Sequence, residues 1–172
     1  MNELYYLVPG VLESDDDFGP GDQNYFSYGS GAHWFRKWFP GTVPRSGWKL
    51  HVAPLPDDAE TVAQCVLPRL RYWRIPHKVI RSLERYVEYN EKEDQAGKFI
   101  TIYTGNPHEA NIALRIIDPP LARLVQAGTI RRTPFRLIPT TRASRHQEAE
   151  HAISQSGLVF VRYFDDDDPD VA

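Results

Sequence analysis

The segment Trp48-Lys49-Leu50-His51-Val52 is the starting point for interpreting the chain. Its apolar residues alternate with a lysine and a histidine, which is the pattern of a strand with one apolar face. Successive side chains of a strand point to opposite faces, so Lys49 and His51 are predicted to share a face. The chain has only five lysines against fifteen arginines, which makes a lysine inside this strand a candidate functional residue.

A second segment, Ile75-Pro76-His77-Lys78-Val79-Ile80-Arg81, sets further cations in a short apolar run. If it forms a neighbouring strand, Lys78 converges with Lys49 and His51. Such a cluster in a cleft suits acid–base chemistry on a phosphorylated substrate.

Working outward, the apolar patterns predict elements in the order β-α-β-α-β-α-β-β. The 33–39 segment is aromatic and is predicted to be a short helix or strand. Prolines are predicted to kink or break one helix and to break another. The other predictions are a strand at Tyr5-Tyr6-Leu7-Val8, a helix from Asp57 interrupted at Pro68, a helix over 83–92 capped by Ser82, a strand over 98–103, a helix from Asn106-Pro107 that breaks at Asp118-Pro119-Pro120, and strands over 133–138 and 158–164.

Length and charge limit the number of domains and the class of ligand that this chain can have. With 172 residues the chain suits one domain, predicted over 1–164, followed by an acidic tail over 165–172 that we expect to be frayed. Residues 46–164 carry seventeen bases and twelve acids, a mild excess that suits an anionic ligand but is too weak to indicate nucleic acid. No apolar stretch reaches the length of a membrane span. A single cysteine, Cys65, and a start without signal-peptide features predict a cytoplasmic protein.

Familiar motifs for other chemistries are missing from the sequence. It has no CxxC, HxxxH or HxH pair for zinc, no glycine-rich nucleotide loop and no GxSxG nucleophile turn. We therefore expect neither a metal nor an organic cofactor.

Seven cations remain on or beside the predicted strands. Arginines bind phosphate in a bidentate manner, and crowded cations favour the neutral form of a lysine, which then acts as a base. A histidine near phosphate oxygens is expected to stay protonated and to act as an acid. These are the parts needed to eliminate phosphate from phosphoserine or phosphothreonine. The cations are Lys49, Lys78, Lys98, Arg81, Arg142, Arg145 and Arg162.

Each of these residues also has an ordinary structural interpretation. A single strand lysine is often a solvated edge residue, and His51 on an apolar strand is often structural. Arg142 and Arg145 suit loop charges, and Tyr103 suits a core. Only the occurrence of several such residues together favours a functional site over these structural interpretations.

Three segments, Gly47–Val52, Ile75–Ser82 and Gly97–Tyr103, resemble the N-terminal lyase domain of class III lanthipeptide synthetases. That domain is similar in turn to the phosphothreonine lyases that bacterial pathogens inject into host cells. The resemblance is strongest over residues 46–104 and weaker around Tyr5-Tyr6 and 159–163. It implies a single α+β domain in which helices flank a mainly antiparallel twisted sheet, and a cofactor-free carbon–oxygen lyase acting on phosphates.

The resemblance also implies roles for individual residues. It makes Lys78 the general base, His51 the general acid and Lys49 the residue that stabilises the enolate. Tyr103 matches a tyrosine close to the active site, and Lys98 a lysine usual in the synthetase branch.

The phosphate-binding arginines align poorly. The effector branch has a phosphate-binding arginine shortly before the strand that corresponds to 98–103. This chain has no arginine between Arg85 and Lys98, so Lys98 is expected to replace that arginine. Arg142 or Arg145 is the further choice, with Arg162 and Arg81 as additional candidates.

The implied function is elimination of phosphate from a phosphorylated precursor peptide, giving dehydroalanine or dehydrobutyrine. The synthetases continue into a kinase and a cyclase, whereas this sequence stops at Ala172. The Met1 start and the acidic end favour a free-standing lyase with a separate kinase, and a cyclase as a further partner, over an excised domain. The alternatives are an effector lyase that acts on a host kinase and a non-catalytic phosphopeptide-binding partner.

Overall fold

The computed structural model describes residues 4, 7–8, 11–12, 25–27, 34–37, 39, 44–92, 96–132, 151–152 and 154–164. In these ranges eight strands form one sheet in the order β1-β2-β3-β5-β6-β4-β8-β7. All neighbouring pairs are antiparallel except β1 and β2, which are parallel. The strands are β1 Val11–Leu12, β2 Tyr25–Phe26, β3 Trp34–Lys37, β4 Gly47–Val52, β5 His77–Ile80, β6 Ile100–Thr104, β7 His151–Ala152 and β8 Val159–Phe164.

The helices of the described residues are α1 Ala59–Tyr72, α2 Leu83–Asn90 and α3 Pro107–Gln126, and a short 3-10 helix, Pro56–Asp58, precedes α1. The two predicted caps are confirmed. Ser82 Oγ accepts a hydrogen bond from the Arg85 amide at 3.2 Å, and Asn106 Oδ1 accepts one from the Glu109 amide at 2.9 Å. Each cap satisfies a donor that the first helical turn leaves without a partner inside the helix.

The predicted break at Asp118-Pro119-Pro120 is wrong, and at Pro68, where a kink or a break was predicted, the helix is not broken. α1 continues through Pro68, and α3 continues through Pro119 and Pro120. A proline removes one helical hydrogen bond, but burial of the surrounding residues outweighs that loss. In α3, Ile117 and Leu121 are fully buried on either side of the proline pair.

Asp118 gives α3 a further anchor at the same point. Its carboxylate accepts hydrogen bonds from the amides of Gln155 and Ser156, at 2.9 and 3.3 Å. These bonds tie the helix to the loop that leads into β8.

The sheet divides its side chains between an apolar face and a polar face. On the apolar face, strand residues such as Leu50 and Ile102 join one core with Val66 of α1 and Ile117 of α3. α3 lies over β4 and β6 and packs against α1. α2 packs at one end of the opposite face, where Tyr86 and Tyr89 contact Phe99 and Trp34.

The predicted α+β class, with helices flanking a mainly antiparallel sheet, is confirmed. Within the 33–39 segment, Trp34–Lys37 form a strand, and strands form at all three motif segments. The predicted strand at residues 5–8 is wrong in its described part, because the Leu7 amide closes a turn by donating to the Leu4 carbonyl at 2.9 Å. The predicted strand over 133–138 and the acidic tail over 165–172 lie outside the described residues. None of the described helices is long and apolar enough to cross a membrane.

Candidate active site

Lys49 and His51 lie on β4, which pairs with β6 on one side and with β8 on the other. They occupy alternate positions, so their side chains share the polar face of the sheet. The apolar residues between and beside them, Leu50 and Val52, point into the helix-covered core. Local alternation therefore aims both candidate residues away from α1 and α3.

The strand register brings the other candidates to the same face. His51 is opposite Thr101, which is opposite Lys78 on β5. Two residues before His51 on β4, Lys49 is opposite Tyr103 on β6 and opposite Arg162 on β8. Residues directly opposite each other in an antiparallel pair lie on one face with Cβ atoms about 5 Å apart. The register thus places five of the predicted residues on one face of four neighbouring strands: Lys49, His51, Lys78, Tyr103 and Arg162.

These charged residues are nearly or fully buried. The exposed fraction is 0% for Lys49, 1% for His51 and 4% for both Lys78 and Lys98. Lysine is among the residues that proteins bury least often, so three buried lysines around one histidine form an unusual site.

The electrostatics of His51 reflect the cations that surround it. Burial lowers the pKa of His51 well below its usual value, and the charges of Lys98, Lys49, Lys78 and Arg162 lower it further, in that order. Each acts because a second positive charge in a low-dielectric site disfavours protonation. In the ligand-free protein, burial and the surrounding cations therefore keep His51 neutral.

Thr101 sets the orientation of the His51 ring. Its hydroxyl oxygen lies 3.2 Å from Nδ1 of His51, and Thr101 is 1% exposed. This contact fixes Nδ1 toward the sheet and places Nε2 on the opposite side of the ring.

The Lys78 ammonium lies among aromatic rings. Its Nζ is 4.4 Å from the ring centroid of Trp34 and 6.0 Å from that of Tyr103. Tyr103 is 1% exposed and stacks edge-on against Phe164 at 5.6 Å. Tyr103 thus lies on the same side of the sheet as the Lys78 ammonium and near it.

One predicted phosphate ligand, Arg81, is not brought into this group. Arg81 points to the other face, where its guanidinium contacts Phe35 with 5.7 Å between Cζ and the ring centroid, and approaches Ser27 Oγ at 3.5 Å. Phe35 is opposite Val79, so Arg81 lies on the other face of the sheet from Lys78 and outside the site. Arg142 and Arg145 lie outside the described residues.

Sequence reasoning missed three residues of the polar face, Trp34, Arg36 and Thr101. Arg36 of β3 is directly opposite Lys78, and Trp34 precedes it by one alternation. The period-two pattern over residues 34–37 would have placed both on one face, but no sequence feature pairs β3 with β5. Thr101 was available from the alternation with Tyr103.

A second buried polar group lies on the opposite face of β5. The Ile75 carbonyl accepts from Nδ1 of His77 at 2.7 Å, so Nε2 accepts the hydroxyl proton of Tyr25, also at 2.7 Å. Arg71 in turn donates to the Tyr25 oxygen at 3.2 Å and to the Leu7 carbonyl at 3.0 Å. This chain of hydrogen bonds ties β2 and residue 7 to α1 and to the strand that carries Lys78.

The described residues contain no group of three or more histidine, cysteine, aspartate or glutamate side chains that could hold a metal ion. The polar face is instead defined by cations, which suit an anionic ligand.

Comparisons with known proteins agree with this architecture. Among solved structures, the fold is similar to that of the VirA (SpvC) phosphothreonine lyase effector protein of Chromobacterium violaceum, with a TM-score of 0.55 and 13% identity over 95% of this chain and 73% of that one. It is also similar to the type III effector and phosphothreonine lyase OspF from Shigella flexneri, with a TM-score of 0.51 and 13% identity over 95% of this chain and 81% of that one. At this identity the likeness establishes the fold, which is the predicted one.

No curated protein sequence matches the chain significantly. The family model described as RamC, N-terminal domain, matches residues 23–125, which is more than half of the chain and includes Lys49, His51, Lys78 and Lys98. This match agrees with the predicted resemblance to the N-terminal domain of class III lanthipeptide synthetases. The chain belongs to the RamC N-terminal domain family.

Proposed function

We propose that this protein is a phosphoserine/phosphothreonine lyase that eliminates phosphate from a phosphorylated precursor peptide. The observation that carries the proposal is the convergence of Lys49, Lys78, Lys98 and Arg162 on the buried His51. A cationic, mostly desolvated face binds a phosphate dianion strongly, and it holds both an amine base and an imidazole acid.

In the proposed reaction the neutral amine of Lys78 takes the Cα proton of the phosphorylated residue. The electron pair of the broken C–H bond is delocalised toward the adjacent carbonyl oxygen, where Lys49 stabilises the developing negative charge. The pair then forms the Cα–Cβ double bond as the Cβ–O bond breaks. The leaving oxygen keeps the bonding electrons and takes the proton of His51.

Phosphate binding explains how His51 gains that proton. Two of the cations that lower its pKa, Lys98 and Arg162, are the described residues that would hold the phosphate. Once a dianion neutralises them, protonation of His51 is favoured. We predict that Arg142 or Arg145 completes the phosphate site. After the reaction Lys78 is protonated and His51 neutral, and exchange with solvent restores both.

The products are dehydroalanine from phosphoserine and dehydrobutyrine from phosphothreonine, together with inorganic phosphate. No step requires a cofactor. The substrate chemistry implies a Ser/Thr kinase that supplies the phosphorylated peptide, and a cyclase is a further partner because dehydrated residues accept thiols. The family match to the RamC N-terminal domain supports a peptide of the lanthipeptide type.

Mass spectrometry of a phosphopeptide incubated with the protein tests the proposal. Elimination removes the elements of phosphoric acid, whereas a phosphatase leaves the hydroxyl and gives a heavier product. We expect Lys78→Ala and His51→Asn to abolish elimination, and Lys92→Ala to retain it because Lys92 lies on an exposed turn. Full elimination by Lys78→Ala would exclude the assigned base.

A second candidate follows from the fold. VirA and OspF, which share it, are phosphothreonine lyase effectors. If this chain acts in the same way, it would process a folded phosphoprotein such as a host kinase in preference to a free peptide. Parallel assays on both substrates separate the two functions, and phosphopeptide binding without any change of mass would instead identify a non-catalytic binding partner.

A further inference from the structure

The contact between Lys78 and Trp34 has no role in the reaction described above. The Trp34 ring centroid lies 4.4 Å from Nζ of Lys78, within the range of a cation–π interaction. Trp34 lies on β3 opposite Ile80, and Lys78 lies opposite Arg36, so the indole reaches the amine diagonally across the strand pair. Tyr103 presents a second ring at 6.0 Å.

The Trp34 ring is held in this position. It is 8% exposed, and Tyr89 of α2 packs against it edge-on with 5.9 Å between centroids and 64° between planes. A buried ring that packs against a helix residue is a rigid surface. It limits where the flexible lysine side chain places its nitrogen, and ordering such a side chain otherwise costs conformational entropy.

The electrostatic consequence depends on the charge of Lys78. The negative face of an indole attracts an ammonium group but not a neutral amine, and the attraction is strongest where water is excluded. Lys78 is 4% exposed, so its surroundings are dry. Trp34 therefore favours the ammonium, whereas the cations that converge on the neighbouring His51 oppose it.

We propose that Trp34 is a positioning residue for elimination: its indole holds the Lys78 amine at the reacting carbon and stabilises the ammonium that forms as Lys78 takes the Cα proton. This inference rests on the proposed lyase function. In this inference the Trp34 ring stabilises the positive charge that develops on Lys78, while Lys49 stabilises the negative charge that develops on the substrate.

Steady-state kinetics over a pH range test the role of the ring. We expect Trp34→Leu to lower kcat about 10- to 30-fold while KM changes by less than about threefold. Lys78 must be neutral to act as the base. Without the ring the Lys78 ammonium is less stable, so the lysine becomes neutral at lower pH and the acidic limb of the kcat profile moves to lower pH. The matched control is Trp48→Leu on the opposite face, where Trp48 contacts Tyr163, and it leaves the limb unmoved.

Phenylalanine and progressively fluorinated phenylalanines at position 34 weaken the face of the ring at nearly constant shape. We expect kcat to fall and the acidic limb to move further with each added fluorine. A flat series, or a loss of kcat without movement of the limb, would reduce Trp34 to a packing residue and overturn the proposal.

A readout independent of catalysis separates this inference from the lyase function. The chain has five lysines, so a carbon-labelled sample gives five Cε signals, and Lys78→Arg assigns one of them. In Trp34→Leu the Lys78 signal is expected to titrate at lower pH than in the wild type. If the wild type binds but does not eliminate, the proposed function fails. If the titration of Lys78 does not move, the inference about Trp34 fails.

Discussion

Acid should destabilise this protein through His77, and the effect can be isolated by substitution. His77 is fully buried, and burial is the main reason why its pKa falls from 6.5 to about 3, with Arg71 and Lys37 lowering it further and the hydrogen bond to the Ile75 carbonyl opposing the shift. Tyr25, whose hydroxyl contacts His77, has a pKa raised by burial to about 12 and stays neutral. The folded protein thus keeps His77 uncharged where the unfolded chain protonates it.

The size of the effect follows from the two pKa values. Between pH 6.5 and about 3 the unfolded state binds one more proton at this position, so the free energy of unfolding falls as the pH falls. Each pH unit in this window costs about 1.4 kcal/mol. From pH 6.5 to pH 5 the interval is 1.5 units, which gives a loss of about 2 kcal/mol from His77 alone.

Urea unfolding at pH 5, 6 and 7 measures this contribution. We expect His77→Gln to be less stable than the wild type at pH 7, because the bond to Tyr25 is disturbed, but to lose about 2 kcal/mol less on going to pH 5. His108→Gln, at an exposed position, is the matched control and keeps the wild-type slope. An unchanged slope in His77→Gln would refute the reasoning, since the remaining acid sensitivity would then come from other groups.

Three further predictions concern the active site and the strand that carries it. Calorimetry of phosphate binding at pH 7, in buffers of different ionisation enthalpy, should show wild type taking up as much as about one proton more than His51→Asn; equal uptake contradicts a neutral His51 in the free protein. Thr101→Val should lower kcat about 5- to 10-fold by releasing the His51 ring, and an unchanged kcat would show that the ring needs no such contact. Gly47→Ala should cost at least about 2 kcal/mol in thermal or urea unfolding, because Gly47 has φ 145° and an added Cβ would lie 2.1 Å from the Thr104 carbonyl oxygen; wild-type stability would contradict this.

The strands of the central sheet were predictable because their alternation is local. The pattern around Lys49 and His51 indicated both the strand and the shared face, and the caps at Ser82 and Asn106 were readable as single residues. The helix prolines were misjudged because intrinsic helix preference competes with burial, and the burial of Ile117 is decided by the fold as a whole.

The site was predictable only in part, for a related reason. Lys49, His51 and Lys78 came from local patterns and from the resemblance, whereas their neighbours depend on which strands pair. No local pattern states that β3 lies beside β5, and that pairing is what brings Trp34 and Arg36 to Lys78. Arg81 was predicted as a phosphate ligand because it is close to Lys78 in the sequence. In the structure it contacts Phe35 on the other face of the sheet, which excludes it from the site.

The placement of β4 between β6 and β8 has a consequence for how activity is lost. The backbone of β4 is hydrogen-bonded to a neighbouring strand on each side. Lys49 and His51 therefore lie on a strand that cannot separate from the sheet by fraying. Amide hydrogen exchange on such a strand reports the rarest and largest openings of a domain. The site formed by Lys49 and His51 should therefore be lost together with the fold in one cooperative step. Amides of β4 should exchange as slowly as any in the described part of the protein.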